Sequence, residues 1–127
     1  MIEAITPMNH HPLLIKGIEE FNQHEFFAAH ETLEDYWRTL AGDEKELVQS
    51  IIQAAVAYYH FGNGNKVGAG KLLLRAIMRA GSVAEGTLGI HIAPYLATIK
   101  ASLQNLENED ANASMQIPEI QFLHSQN

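Results

Sequence analysis

The chain contains no cysteine. A disulfide framework, a thiolate zinc site and a cysteine nucleophile are thereby excluded, and a reducing compartment is the natural setting. Positive charge is scarce as well: eight lysines and arginines stand against fifteen aspartates and glutamates, for a net charge of −7. Neutralising a phosphate backbone needs lysine and arginine, so no nucleic-acid partner is expected. Long apolar runs are missing too. The longest, around Ile51 to Phe61, is broken by Gln53 and His60 and is too short to span a bilayer. Met1 to His11 lack a basic segment followed by an apolar one, the mark of a secretory signal. Together these absences describe a cytoplasmic protein with no membrane partner.

What is present is the composition of a globular domain, 46 % hydrophobic and 18 % charged over 127 residues, with enough chain to bury one core. Residues 1–110 read as a single helical-bundle domain and 111–127 as a polar C-terminal tail, with Ile117, Pro118 and Phe122 lying on the surface. Charge is unevenly placed. Ten acidic residues fall between Glu3 and Glu46 against Lys16, Arg38 and Lys45, whereas Lys66, Lys71, Arg75, Arg79 and Lys100 later face Glu85 alone. Two solvated faces of opposite sign that help the halves dock, or an anion-binding face, both fit this pattern.

Apolar periodicity predicts five helices and no strands. The first runs from about Pro12 to Gln23, with Leu14, Ile18 and Phe21 on one face. The second runs from about Glu25 to Ala41, where Phe26, His30, Leu33, Trp37 and Leu40 share a stripe and Gly42 is the stop. Asp43 reads as the cap of a third helix, with Glu46 completing a capping box. That helix, to about Phe61, is apolar on most of its circumference and belongs in the middle of the bundle. A fourth, Lys66 to Ala80, turns Leu73, Leu74, Ile77 and Met78 inward, and a fifth begins near Pro94. Small residues at Gly68, Ala69 and Gly70 leave room for a partner helix or a second subunit.

The strongest chemical signal is His30-Glu31-Thr32-Leu33-Glu34. Residues four apart stack on one helix face, so His30 and Glu34 point the same way, within the arc of Phe26, Leu33 and Trp37. Glu31 sits about 100° away. A carboxylate on a core-facing stripe needs a partner, and the polar stripe of the third helix, Gln53 and His60, offers one. Two readings compete. In one, His30, Glu34, Gln53 and His60 form a structural polar network. In the other, His30, Glu34 and His60 hold a divalent metal (zinc, iron or manganese), and Glu31 is the base for its bound water. The zincin pattern is not met, because Glu34 stands where the second histidine belongs. Neither is a phosphate-binding loop at Asn65 to Leu72, which lacks the first glycine and the hydroxyl residue. His24 reads as a turn residue or a spare ligand, Trp37 as a core anchor, and His10, His11 and His124 as solvated.

Phe21-Asn22, Glu25-Phe26-Phe27-Ala28-Ala29-His30-Glu31-Thr32-Leu33-Glu34 and Trp37-Arg38 resemble the signature of the family catalogued as domain of unknown function 309. A second block, Gln53 to Ala57 with His60, Gly64-Asn65, Gly68-Ala69 and Leu72-Leu73, is similar to that family's second stretch, in the same order and spacing. The resemblance implies a small helical bundle and a shared site drawn from His30, Glu31, Glu34, Trp37, Gln53, His60 and Asn65. It names no substrate. Two functions follow as expectations: a metal-dependent hydrolase, or a non-enzymatic binding or interaction module, homo-oligomeric in one form, whose small-molecule ligand the sequence leaves open.

Overall fold

The computed structural model describes residues 10–108 and 115–123, and His124 lies outside them. Pro12 opens α1 (Pro12–Asn22), where its missing N–H would have had no helical partner, and His11 Nδ1 accepts from the Leu13 N–H at 3.0 Å. The chain then reverses through His24, whose backbone adopts φ +64°, into α2 (Phe26–Trp37). Gly42, with φ +63°, begins α3 (Gly42–Gly62). A turn through Gly64 leads to α4 (Lys66–Ala80), a short 3-10 turn follows at Thr87–Gly89, and α5 is Ile92–Glu107. The protein is all-α. Among the described residues the only β pairing is one antiparallel bridge between Ile90 and Phe122.

Helix α3 is central, packed against α4 on one side and α2 on the other, with α1 laid on α2 and α5 on α4. Its length and near-continuous apolar surface explain the position: Leu47, Val48, Ile51, Ile52, Ala54, Ala55, Ala57 and Tyr58 are all buried. Close approach elsewhere depends on small residues. A Cβ at Gly17 would collide with the side chain of Leu33, so α1 and α2 meet through that glycine. No helix among the described residues is long and apolar enough to cross a membrane.

The inward face of α4 differs from the expected one. Ala69, Leu73, Ala76 and Ala80 are buried, while Leu74 and Met78 are 50 % and 68 % exposed. Alanines let α3 come close, and the larger side chains are rotated out of the seam. The expected capping box is also absent. The N-cap of α3 is Ala41; Asp43 accepts from the Ala84 N–H at 3.1 Å, and Glu46 pairs with Arg79 at 2.7 Å. Both carboxylates tie α3 to α4 and the segment after it.

Residues 115–123 are more than a surface tail. Asn22 grips Ile120 twice, its Oδ1 accepting from the amide at 2.8 Å and its Nδ2 donating to the carbonyl at 2.9 Å. Pro118 and Ile120 are buried. His10, expected in solvent, stacks on Phe122 with ring centroids 4.4 Å apart, and burial lowers its pKa. A peptide segment whose polar groups have partners and whose apolar side chains reach the core becomes part of the fold, whatever its average polarity.

Two buried hydroxyl pairs bolt α3 to its neighbours. Ser50 Oγ donates to the Ala76 carbonyl at 2.7 Å and lies 2.8 Å from the Tyr95 hydroxyl. Tyr58 lies 2.8 Å from Ser102, which in turn donates to the Gln116 carbonyl. Burial raises the pKa of both tyrosines well above the usual range. A folded-state pKa above the unfolded one means that the folded chain holds the proton more tightly. The stabilisation is therefore complete below the unfolded value of about 10 and is lost as pH climbs through and beyond it. In an alkaline titration, Tyr58 and Tyr95 are expected to ionise only in step with loss of the helical circular-dichroism signal. Ionisation of all four tyrosines ahead of unfolding would contradict this.

Candidate functional site

The core face of α2 is formed by Ala29, Thr32, Leu33 and Tyr36. At about 100° per residue this arc is centred between Ala29 and Tyr36. His30 and Glu34 lie to one side of it, His30 at the seam with α3, and Glu31 lies on the exposed side. An arc drawn through the large residues Phe26, Leu33 and Trp37 gives no weight to Ala29 and so leans toward His30. The expectation that Glu34 is buried is corrected here: its side chain is 44 % exposed.

His30 and Glu34 do face each other, with Nε2 and Oε2 4.0 Å apart, and Arg38 Nη2 lies 3.9 Å from the other Glu34 oxygen. At this distance and exposure such a pair contributes about 0–1 kcal/mol, so it is neither a buried network nor a strong clamp. Among the described residues no three histidines, aspartates or glutamates converge as metal ligands. His30, Glu34 and His60 therefore do not form the expected three-ligand set. Glu31 projects into solvent, away from the seam that His30 shares with α3.

What does come together is His30 and His60. With Phe27, Val56 and Tyr59 they line a pocket of about 180 Å³ between α2 and α3. The Phe27 ring lies 5.2 Å from His30 and 5.5 Å from Tyr59, and Tyr59 lies 6.2 Å from His60. His30 is held from its own helix, Nδ1 lying 3.2 Å from the Phe27 carbonyl. The walls come from i, i+3 spacing on α2 (Phe27, His30) and i, i+3, i+4 spacing on α3 (Val56, Tyr59, His60), so one short stretch of each helix suffices. Phe27 and Tyr59 are 51 % and 41 % exposed. Sequence reasoning passed over both, because aromatic residues at helical spacing read as core. The signal was there in Phe27, which lies three residues from His30 on its flank and off the Ala29–Leu33 arc.

The other expected site residues have structural settings. Gln53 is 8 % exposed, with Oε1 buried and no hydrogen-bond partner among the described residues, and Trp37 Nε1 is in the same condition. The Lys45 ammonium sits 4.4 Å from the Trp37 ring centroid. Asn65 is the N-cap of α4, its Oδ1 accepting from the Gly68 N–H at 2.9 Å. His24 is an exposed turn residue whose ring stacks on Phe26 at 5.3 Å.

These residues match known proteins. The family model described as "Domain of unknown function (DUF309)" covers residues 14–72, which take in most of α1, all of α2 and α3 and the first half of α4. A protein of Aquifex aeolicus (strain VF5), named "Uncharacterized protein", is 26 % identical over 96 residues. That match takes in 75 % of this chain and 29 % of the Aquifex protein, so the chain spans under a third of that relative's length.

Proposed function

Starting from a chain that carries the DUF309 family pattern over residues 14–72, we propose that it is a non-enzymatic binding module whose α2–α3 pocket receives an apolar or aromatic side chain of a partner. The observation that carries this reading is a recess of about 180 Å³ walled by Phe27, Val56, Tyr59 and two imidazoles, with the two aromatic residues half-exposed. An apolar cavity of about 150 Å³ holds benzene, so the volume suits a phenyl, phenol or leucine side chain. Exposed aromatic rings beside a pocket are the residue types that anchor protein interfaces. The Aquifex relative, with its matching part inside a much longer protein, supports a module that works beside other segments.

The test uses toluene and indole as probes, followed through the ring resonances of His30 and His60. Saturable shifts are expected in the parent. Tyr59→Ala, at an exposed position, is expected to weaken probe binding two- to tenfold, the equivalent of about 0.5–1.5 kcal/mol for one aromatic contact. Its unfolding free energy is expected to stay within about 0.5 kcal/mol of the parent's. Absence of any saturable shift would overturn the reading.

The metal-dependent hydrolase, with His30, Glu34 and His60 as ligands and Glu31 as base, has less support, because of these four residues only the two histidines line the same pocket. Stoichiometric zinc, iron or manganese in the parent, absent from a folded His30→Ala/His60→Ala variant, would restore it.

A further inference from the structure

Helix α4 carries a second apolar surface that the described residues leave open. Val67, Leu74 and Met78 are 71 %, 50 % and 68 % exposed, at a spacing of seven and four residues that keeps them on one side of the helix over roughly 16 Å. Leu103 and Leu106 of α5 form the opposite wall, and between the two helices runs an open trough of about 410 Å³ that also includes Lys66, Gly70, Lys71 and Glu107. Gly70 keeps the floor low: a Cβ there would meet only Leu103, at 3.9 Å.

Charge selects the occupant. Lys66 and Lys71 line the trough with Glu107 as its one acidic residue. They are exposed, as is Arg75 on the flank one turn beyond Lys71, and none of the three cations forms an ion pair among the described residues. Arg79, one turn further, is engaged by Glu46. A second copy of the chain meeting this face through a two-fold axis would bring together two patches in which Lys66 and Lys71 outnumber Glu107, and like net charge disfavours self-pairing. An anionic bilayer would meet a protein of net charge −7 through a trough with a concave floor, whereas membrane-surface helices present a convex apolar face. An acidic helix with leucine-type anchors satisfies both the trough and its cations.

We propose that the α4–α5 trough docks an amphipathic helix of a partner protein, its apolar residues seated between Val67, Leu74 and Leu103 and its glutamates or aspartates set against Lys66, Lys71 and Arg75. This surface is separate from the α2–α3 pocket and stands or falls independently of it.

The probe is a synthetic peptide of about four turns, with leucines at helical spacing and glutamates elsewhere. Amide shifts confined to residues 66–78 and 103–107, weakening as salt is raised, are expected. Lys71→Glu is expected to reduce affinity about tenfold, since it removes one charge pairing and adds one repulsion. Gly70→Leu fills the floor and is expected to abolish binding, while Gly70→Ala, which adds an ordinary contact, retains it. Any one of four results would overturn the proposal: no shifts in the trough, equal binding by the peptide with lysines in place of glutamates, vesicle binding without peptide binding, or self-association mapped to this face.

Discussion

Phe21→Ala is expected to lower the unfolding free energy by about 3–5 kcal/mol, the range for deleting a fully buried phenyl ring. Phe21 is 0 % exposed and belongs to α1. Its ring meets Phe26 of α2 edge-on at 5.3 Å and Tyr58 of α3 at 6.2 Å, and those two lie 5.6 Å from each other. One side chain thus joins three helices. Its loss removes the transferred apolar surface, the edge-to-face contacts and the packing around the void together. Collapse into the space would be limited, because the partners are anchored: Tyr58 by its bond to Ser102, and α1 by the gap-free contact of Gly17 with Leu33. Phe21→Leu keeps most of the volume and is expected to cost less than about 1.5 kcal/mol. Chemical unfolding of the two variants beside the parent checks the pair. Equal small losses would mean that the aromatic cluster does not hold α1 to the bundle.

Tyr95→Ala is expected to cost a similar amount, about 3–5 kcal/mol, for a different combination of reasons. Tyr95 is 1 % exposed, and its hydroxyl reaches Ser50 on α3, which is also bonded to the Ala76 carbonyl on α4. A serine hydroxyl has one proton, and a carbonyl accepts only. The proton of Ser50 therefore goes to Ala76, and Tyr95 must be the donor to Ser50. This direction makes an asymmetry testable. Tyr95→Phe leaves Ser50 its bond to Ala76 and is expected to cost about 1 kcal/mol, whereas Ser50→Ala strands a buried tyrosine donor at about 1–3 kcal/mol. Combining them removes the stranded group, so the double variant is expected to be more stable than the sum of the single losses implies. Additive losses would contradict the shared bond.

The two predictions rest on residues of unequal legibility. Phe21 was marked as core by its spacing with Leu14 and Ile18, because those three large apolar residues share one face of α1. Ser50 and Ser102 were not marked at all. A serine inside an apolar run says nothing about which carbonyl or hydroxyl it will meet, since those partners lie 26 and 45 residues away for Ser50.

The same division runs through the site. Helix number, the end points of α4, the central place of α3 and the family resemblance were all carried locally, by apolar period, by turn residues and by two ordered blocks of residues. The pairing of His30 with Glu34 was also legible, because a four-residue step on a helix is fixed by backbone geometry. How far each helix is rotated about its axis was not. That rotation placed Glu34 toward solvent, turned Leu74 and Met78 outward and made Phe27 a pocket wall. It is set by which small residues, Ala29 and Gly17 on one seam and Ala69, Ala76 and Ala80 on another, allow the backbones closest together. Sequence by itself determined the elements and the residue types available to them. Tertiary structure decided which faces met, because close packing of backbones across alanine and glycine outweighs the burial of any single larger side chain.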